Sequence, residues 1–411
     1  MFDFVFKYFL LFPKILITGH WGILIGEIFL ISYLAFSAVT NKKAGRSTIV
    51  PVYFSFIAYY VFISSILASV GWGIIPTHAI FYMIRILLYL GVFIWAYDYS
   101  RRVSCENAYI VKKVFNSQFI FHFFVCLLIM VVYYVNNHPS ANKIMWGYEV
   151  GLRMIPLAGL IIDFNSFFFL KAISGSGNLL STWALAIMVL NHNLGTVKSK
   201  RLIFIICVLT VLLTVSRGGF LTLVLYIIYS QSSGIRYKVS LKSLIVLLLF
   251  VTGLIAYFSY SQENPLPNIF DRLTNTYEEG NFDGSSQGRL DNYIILLENW
   301  ISHWNYILFG FGFDEETLLL ATNQTVVESF FLQVLVCSGL IGIALLFIFY
   351  YCVFKYRKQN FWFKCLWEFI LFQSIIQWTI TGGDFLAPHA LYIVLTLIGF
   401  GAAEKKRLTA I

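Results

Sequence analysis

Apolar residues run along this chain in long blocks, cut at intervals by short polar connectors. A helix that crosses a bilayer takes roughly 20 mostly apolar residues, because hydrocarbon satisfies no backbone group left outside a helix. Eleven blocks fit: about 20–40, 50–70, 78–97, 117–135, 164–190, 201–215, 217–230, 241–258, 326–354, 361–380 and 388–403. Those at 201–215, 217–230 and 388–403 are short for a span. A twelfth, 2–17, either spans or, carrying Lys7, Pro13 and Lys14, lies in the interface. The pattern predicts an all-α polytopic membrane protein of 11–12 transmembrane helices. It divides the chain into an N-terminal transmembrane bundle (1–258), one large polar loop (259–325) and C-terminal transmembrane helices (326–411).

Composition agrees: 59% of the 411 residues are hydrophobic and 12% charged, which excludes a soluble globular chain. The net charge of +9 does not point to nucleic acid, because the bases are sorted by loop. One alternating set of connectors holds clusters such as Lys42, Lys43, Arg46 and Lys405, Lys406, Arg407; the opposite set holds only Lys143, Arg153, Arg217, Arg272 and Arg289. The positive-inside rule puts the basic set and the C-terminus in the cytoplasm and the large loop outside. The six cysteines are scattered through spans and connectors and form no disulfide framework. No cleavable signal peptide is evident, so the first apolar segments are expected to stay as anchors. No nucleotide-binding loop, paired-cysteine zinc spacing or helical histidine pair is present, so no cofactor or metal is expected.

The stretch 260–325 stands apart. It holds ten acidic residues against two basic ones, Arg272 and Arg289, with aromatics interleaved. From Arg289 onward it reads as a helix. Leu290, Tyr293, Ile294, Leu297, Trp300, Ile301 and Trp304 recur at steps of three and four, opposite Asp291 and Glu298. Ser285 or Ser286 is the expected cap, and Gly310-Phe311-Gly312 the expected end. Such a helix suits the outer membrane face, with its tryptophans at headgroup level.

Several polar positions lie where lipid makes them costly. Arg85, inside an apolar block, is either functional or a snorkelling side chain. The segment 136–165 is too apolar for a free loop and too interrupted for a span. It reads as an interfacial or re-entrant piece that turns Arg153, Asp163 and Asn165 toward a cavity, or as an ordinary external loop. Ser174–Gly177 fits close helix packing. At Thr214–Phe220 two short apolar blocks meet at Arg217, next to Gly218 and Gly219. Glycine permits a break with positive φ, and a guanidinium there suits phosphate oxygens, unless it pairs with a carboxylate. Glu328 opens the next long block as a candidate general base or as an acid that complements a helix dipole. His303 and His389 are weaker candidates, since a lone histidine is more often structural.

These residues resemble the O-antigen polymerase and O-antigen ligase superfamily. The resemblance rests on SRGG at 216–219, GRLDNYIILLENWISHWNYILFGFG at 288–312, ESFFLQVLVCSGLIG at 328–342 and RMIPLAGLIIDFN at 153–165. It implies a GT-C-like, multi-span glycosyltransferase of the bacterial inner membrane. Such an enzyme is metal-independent and inverting, and uses an oligosaccharide on undecaprenyl pyrophosphate at the periplasmic face. In that reading Arg217 and Arg289 grip the pyrophosphate and Glu328 is the base. Arg153, Asn165, Asp163, Arg272 and Asp291 bind pyrophosphate or sugar. The ligase branch has a histidine where this chain has Glu328, which favours a polymerase over a ligase. The expected partners are the lipid-linked oligosaccharide, membrane lipid and a chain-length regulator, with no nucleic acid. From another class, a polysaccharide flippase would call for paired internal repeats and broken helices.

Overall fold

The computed structural model describes residues 2–11, 14–18, 21–40, 48–103, 106–125, 143–145, 148–150, 154–157, 160–163, 177–194, 200–214, 216–232, 277–278, 281–282, 284–322, 327, 329–381 and 385–408. Helices make up nearly all of them. In order they are α1 (Phe2–Lys7), α2 (Ile25–Val39), α3 (Ile49–Ile57), α4 (Ser64–Trp72), α5 (Thr77–Val103), α6 (Asn107–Ile110), α7 (Gly177–Asn193), α8 (Lys200–Thr214), α9 (Arg217–Ser232), α10 (Gly284–Ile301), α11 (Trp304–Phe309), α12 (Glu315–Thr322), α13 (Phe330–Tyr356), α14 (Phe361–Phe372), α15 (Trp378–Thr381) and α16 (Pro388–Leu408). π-helical turns at Ala58–Ile63 and Gln373–Gln377 join α3 to α4 and α14 to α15, and a third, Val111–Asn116, continues α6.

Three helical stretches are long and apolar enough to cross a membrane: Ile49–Gly71, Thr77–Val103 and Phe330–Tyr356. Ile25–Val39, Arg201–Leu212, Gly218–Ser230 and His389–Glu404 are apolar but shorter. These match blocks expected from the sequence, and the chain is a membrane protein. The block 241–258 lies outside the described residues.

Short strands accompany the helices. β1 (Lys14–Thr18) pairs with β2 (Trp21–Leu24) and with β6 (Leu160–Asp163), which pairs with β5 (Met154–Leu157), all antiparallel. Strands β3 (Lys143–Met145) and β4 (Tyr148–Val150) form a separate hairpin. So residues 2–17 are not one helix: α1 and a 3-10 turn at Phe9–Leu11 precede β1. The described parts of 143–163 are strands paired in ladders, not pieces of a helical span.

The chain forms two compact units that do not follow its order. One comprises Met1–Tyr33 with Cys105–Thr274, the other Leu34–Ser104 with Asn275–Ile411. At the centre of the first is α7, whose residues 180–192 are all buried. An all-round apolar helix needs neighbours on every side. Beside it, Asn116 and Asn191 exchange two amide hydrogen bonds, 2.9 and 2.8 Å, so two buried polar groups satisfy each other.

In the second unit the sheltered helix is α16, buried from Ala390 to Ala403. It lies along α5. A β-carbon on Gly399 would come within 2.7 Å of Ala96 and 2.8 Å of the Phe93 carbonyl. Small residues let backbones approach this closely where no hydrophobic drive separates helix from lipid. Phe385 gathers the rings of Tyr53, Phe56, Phe330, Phe349 and Trp378 at centroid distances of 6.2, 6.3, 5.3, 5.8 and 5.0 Å. This aromatic cluster ties the start of α13 to α3 and α15.

Candidate functional site

The SRGG sequence is a helix start. Ser216 precedes α9, and its Oγ accepts from the Gly219 amide at 3.1 Å, an N-cap. Arg217 is the first residue of the helix, where amides without intrahelical partners and the positive end of the dipole collect. The glycines are not there for positive φ: among the described residues only Gly73, Gly310, Gly312 and Gly339 adopt it. Their role is contact. A β-carbon on Gly219 would lie 2.7 Å from Ser181, so this glycine lets α9 press against α7.

In the other unit the end of the polar loop is fastened to a broken helix. Helix α11 stops at Phe309, and Gly310 (φ 80) and Gly312 (φ 86) turn the chain. Opposite them α13 is interrupted at Gly339 (φ 62, ψ −164). That break removes the helical donors for the preceding carbonyls, and the loop replaces them. The Phe311 amide donates to the Val336 carbonyl at 2.7 Å, and the Gly312 amide to the Cys337 carbonyl at 2.9 Å. Both approaches demand glycine: a β-carbon on Gly310 would overlap the Cys337 carbonyl, and one on Gly339 the Leu308 carbonyl. The junction thus joins GFG at 310–312 to VCSG at 336–339.

Residues 202–347, from α8 through the polar loop to the first half of α13, match the Wzy_C family model, O-Antigen ligase. The matched stretch is consistent with the O-antigen polymerase/ligase superfamily. No curated protein matches it. Members of the superfamily are glycosyltransferase-like enzymes that act on lipid-linked oligosaccharides. The matched stretch contains both the capped SRGG start and the glycine junction.

Next to the junction, Asp314 is fully buried and serves two helices. Its Oδ2 accepts from the His78 and Ala79 amides at the start of α5, at 3.0 and 3.3 Å. Its Oδ1 accepts from Glu316 in α12 at 3.2 Å. A carboxylate suits helix amides, which carry partial positive charge. The Phe313 amide donates to Ser65 Oγ at 2.8 Å, and its ring lies 5.2 Å from Tyr60 and 5.3 Å from Tyr82. The last part of the polar loop is therefore hydrogen-bonded to the starts of α4 and α5.

The other expected site residues divide into three groups. Arg289 lies within α10, as does Asp291, which is exposed. Asp163 ends β6 opposite Lys14 and Met154. Arg153, Asn165, Arg272 and Glu328 lie outside the described residues; α13 begins just after Glu328, with Ser329 as its N-cap residue. Helix α10 starts at Gly284, so Ser285 and Ser286 fall inside its first turn rather than capping it. It ends at Ile301 before a break at Ser302 and His303, and α11 follows. Of the apolar stripe, Leu290, Ile294, Ile301 and Trp304 are exposed, while Tyr293, Leu297 and Trp300 are half-buried. His389 is buried in the first turn of α16. Arg85 stands 5.9 Å over the Tyr82 ring. Among the described residues no three His, Cys, Asp or Glu side chains are grouped as metal ligands.

Proposed function

We propose that this protein is an O-antigen polymerase of the bacterial inner membrane, GT-C-like in fold, with its large loop in the periplasm. It moves the growing glycan from undecaprenyl pyrophosphate to the non-reducing end of a new lipid-linked repeat unit. The acceptor hydroxyl loses its proton to a general base, assigned to Glu328. The resulting oxygen attacks the anomeric carbon of the donor from the face opposite the pyrophosphate. The bond from that carbon to the pyrophosphate oxygen breaks, its electron pair leaves with the diphosphate, and the configuration inverts. No metal is assigned a part.

The observation that carries this reading is Arg217 at the first position of a capped helix. A forked guanidinium and the amides of a helix start suit an anion whose charge grows as it leaves. Arg289 is assigned the same task. Arg153, Arg272, Asn165, Asp163 and Asp291 are assigned to pyrophosphate and sugar. Glu328, in the register where the ligase branch has histidine, favours polymerase over ligase.

Deleting the protein in its source cell and resolving surface lipopolysaccharide on a gel tests the reading. Core bearing a single repeat, with the ladder lost, is the expected result. Bare core with long lipid-linked polymer would make it a ligase. Bare core with single repeats trapped on the cytoplasmic side would make it a flippase, and the reading would fall.

A further inference from the structure

A cavity of about 380 Å³ opens between α4 and α11. Leu67, Ala68 and Gly71 form one wall, from a single face of α4; Asn305, Tyr306 and Phe309 form the other. Its volume lies within the roughly 300–1,000 Å³ usual for small-molecule sites. The second wall is fixed by the glycine junction. The Gly310 amide caps α11 through the Tyr306 carbonyl at 2.8 Å, and the Tyr306 ring lies 4.6 Å from that of Phe311.

We infer that this cavity is a sugar subsite, holding one ring of the lipid-linked glycan beside the external end of α4. The inference rests on the polymerase reading and deepens it. A pyranose has an apolar face of C–H groups and a polar rim of hydroxyls. The lining offers the same mixture: aliphatic groups on α4, and aromatic rings beside an amide and a phenol on α11. It has no charged side chain, so it does not suit the diphosphate. The polar groups of Asn305 and Tyr306 count against a purely apolar isoprenoid groove. Gly71 keeps the space open, since a β-carbon there meets nothing within 4 Å. A side chain at that position enters the cavity instead of the protein, and removing a helical glycine favours the helix.

Gly71→Phe therefore fills the site without disturbing the fold, with Gly71→Ala as its control and Asn305→Ala as a second variant. The probe is the repeat-unit oligosaccharide freed from its carrier by mild acid, titrated onto the full-length protein in lipid nanodiscs. Undecaprenyl pyrophosphate is titrated separately. Gly71→Phe is expected to weaken oligosaccharide binding by about tenfold or more, a change of at least ~1.4 kcal/mol, and Asn305→Ala by a smaller factor. Gly71→Ala is expected to bind like the parent, and undecaprenyl pyrophosphate to bind equally to all. Unchanged oligosaccharide binding by Gly71→Phe overturns the subsite, as does failure of the parent protein to bind the oligosaccharide. Selective loss of undecaprenyl pyrophosphate in Gly71→Phe also overturns it, in favour of an isoprenoid groove. The deletion phenotype judges the polymerase reading separately. A collapsed ladder with normal oligosaccharide binding by Gly71→Phe removes the subsite alone, and an intact ladder on deletion removes the polymerase.

Discussion

Gly339 and Leu308 are 31 positions apart in the chain, yet the backbone of one rests on the carbonyl of the other so closely that no β-carbon fits between them. This contact and its mirror, Gly310 against Cys337, close the junction between the polar loop and α13. A helix broken within an apolar span exposes carbonyls that lipid cannot satisfy, and each buried unpaired group costs about 1–3 kcal/mol. The amides of Phe311 and Gly312 take those carbonyls.

Gly339→Ala is expected to open this junction. The left-handed backbone costs a non-glycine residue roughly 1–3 kcal/mol, and displacement of Leu308 adds the loss of about 1 kcal/mol for each junction hydrogen bond. In detergent the variant should unfold at a clearly lower temperature than the parent protein. Gly71→Ala, at a helical glycine with open space around it, should not lower the midpoint and should raise it slightly. A Gly339→Ala protein as heat-stable as the parent would mean that the junction is not a structural constraint.

Asp314 makes a graded prediction. Each carboxylate oxygen serves a different helix, and asparagine offers one acceptor oxygen where two are used. Asp314→Asn should keep one helix end and turn an amide N–H₂ toward donors at the other. Asp314→Ala should lose both. Loss of an N-cap typically costs about 0.5–2 kcal/mol. Thermal melts should rank aspartate above asparagine above alanine, and limited proteolysis should cut first near α12 in the alanine variant. Equal stability of all three would show that the two caps contribute nothing.

How much of this was legible depends on the distance over which each feature is specified. The break before Arg217 was readable because the two flanking apolar runs are each too short to span. The stop at Gly310 was readable because glycine follows a periodic stripe. The stripe was legible as a helix by its steps of three and four, though the break at Ser302 and His303 that divides it carries no glycine or proline to announce it. The use of Gly219 was misread. Its contact, Ser181, is 38 positions away, and nothing local separates a packing glycine from a turning one. The break at Gly339 was hidden inside VLVCSGLIGIALL, since glycine is common in membrane helices. Asp314 carries a local signal, an aspartate just before a helix, but its second partner at His78 is 236 positions away. The pairing of β1 with β6 was not legible, because their short continuous apolar runs, 15–17 and 160–162, are indistinguishable from pieces of a span.

The Asn116–Asn191 pair allows a test of the first unit's core. Either residue changed alone to leucine strands the other amide in an apolar interior, at a cost of about 1–3 kcal/mol. Changed together, they leave no polar group behind apart from the Ile187 carbonyl that Asn191 also serves. The double variant should therefore be more stable than the sum of the two single losses allows, a coupling read from a double-mutant cycle. Strict additivity would show that the two amides do not depend on one another.

The strongest test of the chemistry separates the three side-chain roles in SRGG. Ser216→Ala removes a cap and should lower stability by about 1 kcal/mol while polymer length persists. Gly219→Val forces α9 away from Ser181 and should reduce the amount of protein in the membrane. Arg217→Ala leaves the Ser216 cap and the Gly219 contact in place, and it is expected to accumulate at the parental level and make no polymer. Arg217→Lys should fail as well, because an ammonium keeps the charge but loses the planar fork that matches two phosphate oxygens. The readouts are the lipopolysaccharide ladder and an immunoblot of the membrane fraction from the same cells. A full ladder from Arg217→Ala would remove this arginine from the reaction. A ladder restored by Arg217→Lys but not by Arg217→Ala would keep the charge and discard the bidentate geometry. Helix α9 would then act on the leaving diphosphate as a simple electrostatic sink, for which position matters more than shape.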